Sequence, residues 1–159
     1  MENLQTLRDQ LVKLLDGRGA HADFNQAVAD FTPELRGVRP PGAPHSAWEL
    51  LEHLRIAQWD MLEFSRDAGY QSPEWPSGYW PATVEPPDER AWDESVARFR
   101  ADLEAMQKLV GDPRSDLFLV FAHGEGQTLL REALQLADHN AYHIGELVFL
   151  RRLLGAWVG

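Results

Sequence analysis

The sequence predicts an all-α protein built as a four-helix bundle with long connections. Four segments repeat apolar residues at spacings of three and four, period-two strand patterning is nearly absent, and stretches rich in proline and glycine separate the segments. With 159 residues the chain fits a single domain, taken as 1–159, and is long enough to bury a sizeable core. Its 44% apolar and 25% charged content is ordinary for a globular protein and gives no sign of disorder.

The first apolar stripe runs through Leu4, Leu7, Leu11, Leu14 and Leu15, then Phe24, Ala27 and Val28 to about Phe31. Gly17 and Gly19 interrupt it, which leaves either one helix with a weak middle or two shorter ones. His21, beside the glycines, reads as a surface or packing residue. From Thr32 to Pro44 four prolines with Gly37 and Gly42 exclude regular helix and mark a long connection.

Ser46 with Glu49 three residues on has the form of a capping box, so a second helix starts there, runs to about Ala68 and ends at Gly69. Its inward stripe passes through Leu50, His53, Leu54, Ala57, Met61 and Phe64. Tyr70 to Pro87 holds five prolines with Trp75, Tyr79 and Trp80, a connection long enough to wrap the bundle as a lid or to bind something. Its aromatics fit two roles, capping a pocket or anchoring the loop.

A third helix begins at Asp88 or Asp93 and reaches about Val110, with Trp92, Val96, Phe99, Leu103, Met106 and Val110 spaced as a bundle seam and Gly111-Asp112-Pro113 as its stop. The apolar run Leu117 to Phe121 reads as a brief strand or as an extended segment crossing the bundle end. The last helix spans about Thr128 to Leu154, with Gly145 as its only glycine.

In that last helix His139 and His143 stand one turn apart, on the face that also carries Leu136, Leu147, Leu150 and Leu154. Two imidazoles on an apolar stripe can share a borderline metal ion, yet the pair alone is a weak signal and needs a third ligand. His53 supplies one if the second and last helices adjoin. Three histidines with a fourth position open is the arrangement of catalytic sites, where an ion activates water, polarises an oxygen or stabilises a thiolate brought by a substrate. Each ring needs an outer acceptor on its second nitrogen. Glu49 and Glu146 are the candidates, while Asp138 faces about 100° away from His139. The catalytic candidates are therefore Glu49, Glu146 and His123, the last in a glycine-flanked loop just before the final helix. Nickel or zinc suits the nitrogen set best, with iron, manganese or copper as further fits.

A formal charge of −10 without a local Lys/Arg cluster argues against nucleic acid and anionic lipid as partners. The absence of cysteine removes disulfides, thiolate ligands and a cysteine nucleophile. No apolar run reaches membrane-spanning length and the amino terminus lacks a secretory pattern, so a cytoplasmic location is expected. No phosphate-cradling loop, serine nucleophile motif or nucleotide fingerprint is visible.

The segment His45-Ser46-Ala47-Trp48-Glu49-Leu50-Leu51-Glu52-His53-Leu54, followed much later by His139-Asn140-Ala141-Tyr142-His143-Ile144-Gly145-Glu146-Leu147-Val148, resembles the DinB-like (DinB/YfiT) superfamily of metal-dependent enzymes. The resemblance extends to Gly126–Glu132 and Leu150–Gly155 and so covers nearly the whole chain. It implies a four-helix bundle in which His53 is the helix-two metal ligand and His139 and His143 the last-helix pair. It further implies a homodimer, and a thiol-dependent transferase or isomerase activity that uses a low-molecular-weight thiol. The chain departs from many relatives in having Glu146 where they have glutamine and His45 where they have tryptophan.

Two functions follow. One is a divalent-metal-dependent enzyme of the transferase or hydrolase kind. The other is a non-catalytic, dimeric stress or interaction protein whose histidines are metal-free or hold a structural ion, with the Trp75 to Trp80 aromatics at an interface.

Overall fold

The computed structural model describes residues 2–157. Helices fill it: α1 (Glu2–Asp16), α2 (Phe24–Val28), α3 (Ala47–Arg66), α4 (Ala91–Gly111) and α5 (Leu129–Leu153), with short 3-10 turns at Pro33–Leu35 and Ser77–Tyr79. The four long ones form the bundle. Gly17 and Gly19 adopt φ of +69° and +133°, conformations that side-chain-bearing residues avoid, so the first apolar stretch divides into α1 and the short α2. Asp23 starts α2 with a capping box closed by Gln26.

The Ser46 capping box forms as the sequence indicates, with the hydroxyl accepting from the Glu49 N–H and the Glu49 carboxylate accepting from the Ser46 N–H. α3 closes at Arg66, a little before the expected Ala68, with Asp67 as its C-cap. α4 starts at Ala91 with Arg90 as its N-cap, between the two expected starts: Asp93 falls in the first turn, and the Asp88 carboxylate accepts from the N–H groups of Arg90 and Ala91. The Leu117–Phe121 run is an extended crossing. Among the described residues its only ladder pairing is the bridge between Val120 and Thr128. Leu117 is buried there, whereas Phe118, Leu119 and Val120 are exposed.

α3 packs between α4 and α5, and so does α1, which places α1 and α3 diagonally across the bundle. One core cluster joins Trp48, Leu51 and Leu54 to Trp92, Val96 and Phe99 and to Leu147 and Leu150. The other joins Leu62 to Met106 and Val110, to Leu129, Ala133 and Leu136, and to Leu11 and Leu15. The start of α3 therefore lies level with the start of α4 and the end of α5. Helices α3 and α4 run one way, and α1 and α5 the other.

This up-down-down-up order explains why the connection after α3 is so long, because it must climb the whole bundle to begin α4 at the same end as α3. Its contacts trace the climb: Tyr70 packs edge-on against Trp59, the Tyr79 hydroxyl donates to Asp60, the Trp48 indole donates to the Thr83 hydroxyl, and Ser46 donates to the Val84 carbonyl. The loop thus runs antiparallel to α3 and passes directly over the level of His53.

At the bundle centre Gln58, wholly buried, donates to the Phe99 carbonyl at 2.6 Å and accepts from Asn140 at 2.9 Å. These two bonds tie α3 to α4 and α5 at one level, although the Asn140 Oδ1 atom is itself buried without a partner.

Candidate metal centre

His53 lies in the buried stripe of α3, seven residues after the cap, and His139 and His143 lie in the middle of α5. Because α3 and α5 adjoin, the three rings meet. The Nε2 atom of His53 is 3.1 Å from the Nε2 of His139 and 3.1 Å from that of His143, and the ligand atoms of all three lie within 4.8 Å of one another. A metal ion could be held here. No other group of three or more metal-ligating side chains occurs among the described residues.

The outer contacts decide where the ring protons sit. His53 Nδ1 lies 2.9 Å from the Tyr79 carbonyl, which can only accept, so Nδ1 carries the hydrogen and Nε2 is left with a bare lone pair. His143 Nδ1 lies 2.7 Å from Glu146 Oε2, and the same reasoning bares its Nε2. Two unprotonated nitrogens therefore face each other across 3.1 Å. A cation between them converts that repulsion into ligation, so the donor set fits a divalent metal. His139 differs in that its Nδ1 is buried without a partner.

Burial and the neighbouring rings keep the cluster neutral. Desolvation, then the rings of His143 and His53, push His139 down to about 4. Desolvation, then His53 and His45, push His143 down to about 4. Desolvation also lowers His53, opposed by its bond to the Tyr79 carbonyl. Neutral imidazole is the form a metal needs.

The 67–90 loop closes one side. Trp80 stacks on His53 with centroids 4.0 Å apart, and His45 stacks on the other face of Trp80, also at 4.0 Å. The two roles read for the loop aromatics coincide here, since Trp80 both covers the site and holds the loop. Trp75 is 72% exposed and sets its ring edge-on to Tyr79 within the same loop. Tyr142 sets its ring edge-on to His143 from the solvent side.

Of the three catalytic candidates only Glu146 touches the centre. Glu49 does not hold His53, because its carboxylate is spent on the Ser46 N–H and on the Arg39 guanidinium. Burial would raise its pKa, but Arg39 and Ser46 outweigh this and hold it below its ordinary value. The acceptor for His53 is instead a backbone carbonyl from a proline-rich loop, which no side-chain pattern announces. His123 Nε2 lies 2.9 Å from the Phe64 carbonyl, and the ring packs against Phe64 and Phe121. Phe64 is eleven residues beyond His53, about 16 Å along α3, so His123 belongs to the far end of the bundle. His45, noticed in the sequence only as a departure from relatives, takes its place near the site through Trp80.

The family model described as the DinB superfamily matches residues 18–147. The chain belongs to the DinB superfamily. The match takes in all three histidines and the loop that carries Tyr79 and Trp80. No curated protein and no solved structure matches this superfamily member.

Proposed function

We propose that this DinB superfamily member is a divalent-metal-dependent enzyme in which His53, His139 and His143 hold the ion. The observation that supports this most directly is the pair of unprotonated Nε2 atoms facing each other at 3.1 Å, each fixed by an outer acceptor. When bound, the ion supplies Lewis acidity for lowering the pKa of water or of a substrate thiol. The chain's own residues do the rest: Glu146 and the Tyr79 carbonyl orient two rings, and Trp80 and the buried leucines restrict water.

Thiol-dependent transfer and hydrolysis both use the fourth position that a three-nitrogen site keeps open, and in a cysteine-free chain the sulfur of the first would come from a cosubstrate. Nickel and zinc are the proposed ions. The test is to strip the protein with chelator, load it with cobalt(II) as a spectroscopic stand-in, and add a low-molecular-weight thiol. Stoichiometric uptake followed by an intense near-ultraviolet sulfur-to-cobalt band is expected. No uptake refutes the metal site, and uptake with no thiol band refutes the thiol chemistry.

A further inference from the structure

A groove of about 210 Å³ lies between the 42–45 turn and the last two turns of α5. Leu50 and Leu150, each 3% exposed, form its floor, and Phe149 and Leu153, 61% and 49% exposed, rise at its side. Glu146 and His45 are the polar groups in the lining, and neither Lys nor Arg contributes. The volume is below the ~300 Å³ at which sites for drug-sized ligands begin, so the groove suits a small molecule.

Glu146 makes the groove chemically specific. One of its oxygens accepts from His143 Nδ1, while the side chain remains 37% exposed and its carboxylate retains acceptor capacity. An anion placed here would meet a carboxylate with no cation in the lining and a protein of net charge −10. A cation with an apolar tail meets the reverse: a carboxylate at the head and leucine and phenylalanine along the chain.

We propose that this groove binds a small primary amine with an alkyl or aryl body, its ammonium on Glu146 and its body against Phe149, Leu153 and the leucine floor. Because Glu146 also orients His143, the amine and the metal are coupled through one carboxylate, and each changes the affinity of the other by the same factor. That the amine is a substrate rests on the metal-dependent reading; that the groove takes it does not.

The test is titration of butylamine, hexylamine, hexanol and hexanoate into the metal-free full chain, followed by amide ¹H–¹⁵N spectra. Saturable shifts are expected at Gly42, Phe149 and Leu153. Each added methylene should tighten binding about fourfold until the groove is filled, the value for ~0.8 kcal/mol of transfer free energy. Hexylamine should exceed hexanoate by about tenfold or more. Glu146→Gln should erase that preference while leaving hexanol within about twofold, and Leu153→Asp should remove the chain-length dependence. The proposal is overturned by absence of saturable shifts with hexylamine or by hexanoate binding as well as hexylamine. Metal loading is measured separately: a chain that takes metal but no amine refutes the groove alone, and one that takes amine but no metal refutes the metal reading alone.

Discussion

Trp80 lies flat against His53, with planes 4° from parallel and centroids 4.0 Å apart, and its opposite face carries His45. The neighbouring Tyr79 carbonyl takes the Nδ1 hydrogen of the same histidine. Two consecutive loop residues therefore fix the tilt and the rotation of one proposed ligand. Replacing Trp80 by alanine should weaken metal binding by about ten- to a hundredfold, the range for loss of an outer partner, with Trp80→Phe falling between the two. Competition against a chromophoric chelator measures this, and an unaltered affinity in Trp80→Ala would remove the loop from the site.

Glu146 should act on His143 through hydrogen bonding. Glu146→Gln keeps a carbonyl oxygen able to accept from Nδ1–H, whereas Glu146→Ala leaves that donor without its protein partner. Metal affinity is expected to drop in the order wild type, glutamine, alanine, with the alanine variant lower by about tenfold or more. If glutamine costs as much as alanine, the negative charge rather than the acceptor is what matters.

His143→Ala should abolish metal uptake with little change in the helical circular dichroism signal. In the metal-free protein it also removes one of the two facing lone pairs, so the metal-free Tm is expected to stay level or rise. The wild-type Tm should increase with added zinc, as binding to the native state requires, and the variant Tm should not. A zinc-dependent increase that survives in His143→Ala would assign the ion to other residues.

The buried amide pair offers a test of the fold itself. Gln58→Leu strips Asn140 Nδ2 and the Phe99 carbonyl of their shared partner in the core. A loss of about 1–3 kcal/mol is expected in urea unfolding, the cost of unsatisfied buried polar groups. Gln58→Leu combined with Asn140→Leu should recover part of it, because the pair couples. Additive losses would show that the two amides act independently.

The helices and their caps were readable because local chemistry determines them: the Ser46 box, the leucine spacing in α5, and the Gly111-Asp112 stop each act within a few residues. That the three histidines would meet was readable for a similar reason, since the spacing of His139 and His143 fixes their shared face and the α3 stripe turns His53 inward. Helix direction was not, because an up-down-down-up order depends on how far the 67–90 loop travels, and that is set by remote contacts such as Ser46 to Val84 and Tyr79 to Asp60. Glu49 was misplaced for a related reason: a carboxylate one turn from a histidine can reach it, but Arg39, from the preceding connection, holds it elsewhere. A backbone acceptor such as the Tyr79 carbonyl has no residue-type signature at all.

Acid should destabilise the metal-free protein through the centre. His139 and His143 are held at about 4 in the native protein against an ordinary 6.5, so between these values the unfolded chain binds more protons than the folded one. Stability is then highest above pH 6.5, declines as the pH falls toward 4, and loses no more from these two groups below that. Urea unfolding of the metal-free chain at pH 7.5, 6 and 5 should show the decline, and a His139→Leu/His143→Leu variant should show a shallower one over the same interval. The comparison isolates the imidazoles from carboxylates such as Glu49, whose depressed pKa contributes stability at higher pH that is lost only as the pH falls below its ordinary value of 4.5. Parallel pH profiles for the two proteins would mean that the histidines are not held neutral by the fold, and the facing lone pairs on which metal binding is argued would be protonated instead.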